Sequence, residues 1–147
     1  MTTEFMVSFH VSTRSKSLKE LNELLGYQHA LGVDMNSPQK YHPEREYKQT
    51  SWWINSPLER SASLEEQMEA VARLLPPGAR NHLLEPTWEK EVYIGIGVLW
   101  ELNETFLEFD LPKSAWKFFE DLPAPIRISV YPTRQEETLS NDGPTGG

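Results

Sequence analysis

Between residues 48 and 75 the chain spells out a strand, a turn and a helix, and this unit constrains the fold more than any other stretch. Lys48-Gln49-Thr50-Ser51-Trp52-Trp53-Ile54-Asn55 is rich in aromatic and β-branched residues and ends at Asn55-Ser56-Pro57, where a strand should stop. Ser63-Leu64-Glu65-Glu66 then forms a capping box. The Ser63 hydroxyl can accept from the Glu66 amide while the Glu66 carboxylate reaches back to the Ser63 amide. Leu64, Met68, Val71 and Leu75 follow at helical spacing, and Pro76-Pro77-Gly78 stops the helix. Adjacent residues on a strand face opposite ways, so Trp52 and Trp53 cannot share a side of the sheet. One is expected under a helix and the other on the open face.

The remaining elements follow from period and punctuation. Residues 4–12 alternate, with Phe5, Val7, Phe9 and Val11 on one side and Met6, Ser8, His10 and Ser12 on the other. Ser17-Leu18-Lys19-Glu20 is a second capping box, opening a helix over 18–25 that Gly26 can end in the left-handed conformation. From Tyr27 to Tyr47 no period is sustained, and the stretch reads as a long loop. Residues 79–88 suit a short helical turn ending near Trp88. Val92, Ile94, Ile96, Val98 and Trp100 alternate along a strand whose other side carries Gly95 and Gly97. Those glycines let a helix or a ligand come close, and helix packing is the simpler expectation.

Glu101-Leu102-Asn103-Glu104 reads as a hairpin leading to a strand at 105–109. Asp110 is placed to cap a third helix, with Pro112 in its first turn and Ala115, Trp116, Phe119 and Leu122 on its apolar face. A last strand covers 126–131, where Ile126, Ile128 and Val130 alternate with Arg127, Ser129 and Tyr131. The fold class expected is α+β: a two-layer sandwich with a single mixed five-stranded sheet and about three helices on one face, ferredoxin-like or related. Residues 1–131 form one domain in this reading, and 132–147 a disordered acidic tail with almost no apolar content.

Composition narrows what such a domain does. The chain has 147 residues, 38% of them hydrophobic, with five Trp, six Phe and five Tyr, enough for an aromatic core in a single domain. It contains no cysteine, so disulfides and thiolate metal sites are excluded and a cytoplasmic setting is the simplest expectation. No basic segment followed by an apolar run opens the chain, so no leader is expected, and no apolar stretch approaches the ~20 residues that span a bilayer. The net charge of −8 works against phosphate neutralisation, so a nucleic-acid partner is not expected, and it suits a basic protein partner.

The opening Phe-rich strand, the helix ending Leu24-Leu25-Gly26, the Ser51-Trp52 strand, the Ser63-Leu64-Glu65-Glu66-Gln67 helix and the Ile128-Ser129-Val130-Tyr131 ending together resemble a bacterial family, domain of unknown function 4279. The resemblance covers most of residues 5–131. It implies a small bacterial cytoplasmic α+β protein, and it carries no activity and no catalytic residues. Some small acidic proteins of such families are associated with neutralising toxins.

No catalytic chemistry emerges from the residues. His10, His29, His42 and His82 are far apart and none has the spacing of a zinc helix, so neither a metal nor any other cofactor is expected. No nucleophile elbow is present, and Gly95-Ile96-Gly97 sits inside a strand rather than at a strand-to-helix turn. The leading expectation is a non-enzymatic protein-binding module, an immunity-type protein that occludes a basic toxin domain through Glu101, Glu104 and Glu108 with Trp53 as an aromatic anchor. The alternative is a small-molecule-binding domain or enzyme with a pocket between the open sheet face and the 27–47 loop, lined by His42, Arg45, Tyr47 and Trp53. A flat acidic face with exposed aromatics favours the first, and a concave pocket favours the second.

Overall fold

The structure, a computed structural model, describes residues 3–101, 108–111 and 124–133. Strands β1 (Glu4–Thr13), β2 (Leu31–Val33), β3 (Thr50–Asn55), β4 (Glu91–Glu101) and β5 (Ile126–Thr133) form one sheet in the order β2-β3-β1-β4-β5. β1 is central and antiparallel to both β3 and β4, β2 is antiparallel to β3, and β5 runs parallel to β4. Helices α1 (Leu18–Leu25), α2 (Leu64–Leu74) and α3 (Ala79–Leu84) complete the described elements. The architecture is therefore the mixed five-stranded α+β sandwich that the alternation and capping signals predict.

Both capping boxes form. Ser17 Oγ accepts from the Glu20 amide at 3.2 Å and Ser63 Oγ from the Glu66 amide at 3.1 Å, with each glutamate returning the bond. The returned backbone bonds from Ser17 and Ser63 hold the Glu20 and Glu66 carboxyls below their ordinary range. Gly26 closes α1 at φ 67°, a conformation that suits a residue without Cβ. The core lies between these helices and one face of the sheet: Val7, Phe9, Val11, Trp52, Ile54, Val92, Ile94, Ile96 and Val98 meet Leu21, Leu25, Met68 and Val71. Trp52 is the buried member of the Trp pair, and its indole N–H donates to Asn22 Oδ1 at 2.9 Å.

One polar side chain is built into this core. Gln67, 1% exposed, donates from Nε2 to the carbonyls of Phe5 (2.7 Å) and Ala62 (3.2 Å), tying the start of β1 to the 56–62 connection. Gln67→Met keeps the volume and strands those carbonyls. It is expected to cost about 1–3 kcal/mol in urea unfolding, and an unchanged midpoint would show that the carbonyls find other partners.

Four expectations are revised. The 27–47 stretch contains β2, and its remainder is closed by a Pro38–Glu46 bridge and by the Asn36 amide donating to the Tyr47 carbonyl at 2.8 Å. β2 thus supplies the fifth described strand. Of the strand expected at 105–109, residues 105–107 lie outside the described residues, and Glu108 and Phe109 are not in a strand. Helix α3 stops at Leu84 rather than near Trp88, because Trp88 instead folds back to donate its indole N–H to the His82 carbonyl at 3.1 Å. Finally, Ile128 shares the core-facing side of β5 with Ile126 but is 47% exposed, on the outermost of the described strands. The expected helix over 112–122 and the 134–147 part of the tail fall outside the described residues, while Pro132 and Thr133 belong to β5.

Candidate functional site

The face of the sheet opposite the core is assembled from residues that alternate with core residues on each strand. β3 contributes Ser51, Trp53 and Asn55; β1 contributes Met6, Ser8 and His10; β4 contributes Glu91, Tyr93, Gly95 and Gly97; β5 contributes Arg127, Ser129 and Tyr131. Register sets who meets whom. Trp53 pairs with His10, His10 with Tyr93, and Gly95 with Arg127, so a row of rings crosses three strands and ends under a guanidinium. His10 stacks on Tyr93 at 4.3 Å with the planes 6° apart and lies 6.1 Å from the Trp53 ring. Arg127 Cζ sits 3.9 Å above the Tyr93 centroid, and its Nη2 donates to Glu91 Oε1 at 3.0 Å.

Beside this row the two glycines leave a recess of about 320 Å³, lined by Met6, Ser8, His10, Asn55, Tyr93, Arg127, Ser129 and Tyr131 over a floor of Gly95 and Gly97. A Cβ on Gly95 would lie 2.7 Å from Ser8 Oγ, and one on Gly97 would lie 3.0 Å from Met6 Cε and 3.3 Å from the Tyr131 ring. Among the described residues the nearest atoms over the glycines are thus side chains of neighbouring strands, and no described helix packs there. Arg127 alone carries a formal charge among the described residues that line the recess. Its volume falls at the lower end of the range for small-molecule sites, about 300–1,000 Å³.

His10 is the titratable centre of the face. Burial against Tyr93, and secondarily the positive field of Arg127, bring its pKa from 6.5 down to about 4. The ring is neutral at pH 7, and Nε2 shares a hydrogen bond of 2.8 Å with Ser8 Oγ. Folding holds the His10 pKa below its unfolded value, so the unfolded chain binds more protons between pH 6.5 and about 4. His10 therefore contributes no penalty above pH 6.5, and stability falls as the pH drops through that window. His10→Gln should flatten that part of the urea-midpoint profile, and an unchanged slope would show that His10 titrates normally.

The residues expected from sequence divide sharply. Trp53 lies half-buried on the open face, between His10 and the exposed Leu31 of β2. His42, Arg45 and Tyr47 do not join it in the described contacts. His42 Nδ1 faces Glu44 at 3.5 Å, the Arg45 amide donates to the His42 carbonyl, and the Tyr47 amide donates to the Ser37 carbonyl, all within the β2–β3 connection. Of the acidic trio, Glu108 is exposed, Glu101 ends β4, and Glu104 lies outside the described residues. His10, Tyr93 and Arg127 are the members that sequence reasoning missed. The alternation placed each on the open side, but only strand order brings them together.

Elsewhere, a groove of about 450 Å³ lies between Leu83, Leu84, Pro86, Trp88, Val92 and Pro125. Lys90 spans its floor, with Nζ bonded to the Glu85 carbonyl and 4.5 Å from the Trp88 ring. Among the described residues no group of three His, Asp or Glu is placed to hold a metal ion, and no helix is long and apolar enough to cross a membrane.

No curated protein and no solved structure matches the chain. A family model described as a domain of unknown function, DUF4279, matches residues 3–133, and with the fold and motifs above the chain belongs to that family.

Proposed function

We propose that this protein is a non-enzymatic binding domain that takes a small ligand on the open face of its sheet. The observation that carries this reading is the concave, nearly uncharged recess over Gly95 and Gly97, bordered by aromatic rings and hydroxyls. A catalytic role fits poorly. With a pKa near 4, His10 is a weak base for Ser8, and no carboxylate contacts its ring among the described residues. Soaking crystals with a diverse fragment library tests the reading. Density over the Gly95–Gly97 floor is expected, and hits confined to other surfaces would overturn it.

A second reading is favoured by the net charge of −8: a protein-binding module, with a basic partner such as a toxin domain in an immunity-type role. Trp53, Tyr93 and Arg127 are residue types enriched at interface hot spots. A protein would cover the whole row out to Leu31, which is 51% exposed and does not line the recess. Leu31→Asp is therefore expected to leave small-ligand binding unchanged. A basic protein that binds the native chain and not this variant, while small-ligand binding is unchanged, would argue for the larger interface.

A further inference from the structure

We infer that the recess takes a planar aromatic carboxylate, with its ring on the Gly95–Gly97 floor and its anionic group toward Arg127. This inference rests on the small-ligand reading above and names the ligand's chemistry. Over the two glycines stand the flexible ends of Ser8 and Met6, with His10 and the Tyr131 ring edge beside them, so a flat group reaches the strand by turning Ser8 Oγ and Met6 Cε aside. A bulky aliphatic group would meet those walls edge-on, whereas a ring lies parallel to the floor.

Charge selects the second half of the ligand. Among the described residues Arg127 is the one charged residue that lines the recess; Glu91, its partner, does not line it. The guanidinium stands over Tyr93, and Glu91 accepts from Nη2, while the planar fork carries five N–H donors in all. A carboxylate matches that fork in a way that a hydroxyl or an amine does not. After burial, the nearby Arg127 also opposes protonation of the His10 ring, so the two groups share one end of the recess. The chain's overall charge of −8 opposes an anion at long range. At about 0.15 M salt that repulsion is screened beyond roughly 8 Å, while the contact with Arg127 is not.

Four probes separate the contributions: benzoate, benzyl alcohol, benzylamine and acetate, each titrated into the full chain at 0.15 M salt and followed by the amide shifts of Gly95 and Gly97. Benzoate is expected to bind about tenfold more tightly than benzyl alcohol, the ratio that one charge-assisted hydrogen bond supplies. Benzylamine and acetate are expected to be weakest. In Arg127→Gln the preference for benzoate should vanish while weak binding of the ring persists. Binding an anion beside His10 must also raise the midpoint of its titration, and by reciprocity benzoate must bind more tightly at pH 5 than at pH 7. The other groups facing His10 are Ser8 on its own strand, Trp53 on β3, Tyr93 on β4 and Arg127 on β5, with Glu91 acting through Arg127. Equal affinity for the three ring compounds would overturn the carboxylate inference and leave the small-ligand reading standing. Acetate binding as well as benzoate would overturn the role of the ring. Failure of every probe to shift Gly95 or Gly97 would overturn the inference, and the fragment library then decides the small-ligand reading separately: hits over Gly95 and Gly97 keep it, and hits confined to other surfaces overturn it.

Discussion

Trp52→Ala is expected to lower the unfolding free energy by about 3–5 kcal/mol, a large share of the roughly 5–15 kcal/mol that holds a domain of this kind together. Trp52 is fully buried where α1 crosses β3, it donates to Asn22, and the Tyr27 ring meets it edge-on at 6.4 Å. Truncation leaves a cavity, an orphaned Asn22 amide oxygen and a Tyr27 ring that has lost its edge contact, which the short α1 has little freedom to repair. Trp53→Ala, one residue away on the opposite face, removes a half-exposed ring and should cost about 1 kcal/mol or less. Urea unfolding of both variants measures the difference. Equal losses would mean that the two tryptophans do not divide between core and open face as described.

Gly97→Val should do the reverse, leaving the fold intact while emptying the recess of its use. A strand interior favours a β-branched residue over glycine, and the cost of moving Met6 and Tyr131 opposes that gain, so stability is expected to stay within about 1 kcal/mol. The new side chain must push aside Met6 Cε, 3.0 Å from the Cβ position, and the Tyr131 ring at 3.3 Å, and it takes up the floor of the recess. Benzoate affinity at the recess should then fall by more than about tenfold. A larger loss of stability would show the Gly97 surface to be more tightly packed than the described contacts indicate. Retained affinity would place the ligand elsewhere.

Local signals carried most of the fold. Ser17 and Ser63 mark helix starts because their capping chemistry is set by residues three positions away, and the alternation in β1 and β4 records burial on one face. The short β2 left no such mark. Leu31-Gly32-Val33 is too brief for a period, and its glycine is required by contacts distant in sequence: a Cβ on Gly32 would run into the Ser51 backbone carbonyl and come within 2.6 Å of Leu18 Cδ2. Ile128 misled for a related reason. Alternation assigns it correctly to the core side of β5 but says nothing of its place on the outermost of the described strands.

The candidate site was legible in pieces. Trp53 and the pair Gly95 and Gly97 stood out from composition alone. His10, Tyr93 and Arg127 belong to three strands, and their juxtaposition depends on the order β3-β1-β4-β5 and on a register that no single strand encodes. His42, Arg45 and Tyr47 attracted attention because their segment looked irregular. Their backbone is instead consumed in closing the β2–β3 connection.

The claim that the open face is the binding surface is tested most directly by mapping amide shifts across the whole chain while a fragment library is titrated in. Shifts centred on Tyr93, Gly95, Gly97 and Arg127, and abolished in Gly97→Val, are the predicted result. Shifts that instead gather at Leu83, Trp88 and Lys90 in the neighbouring groove, and survive Gly97→Val, would contradict it.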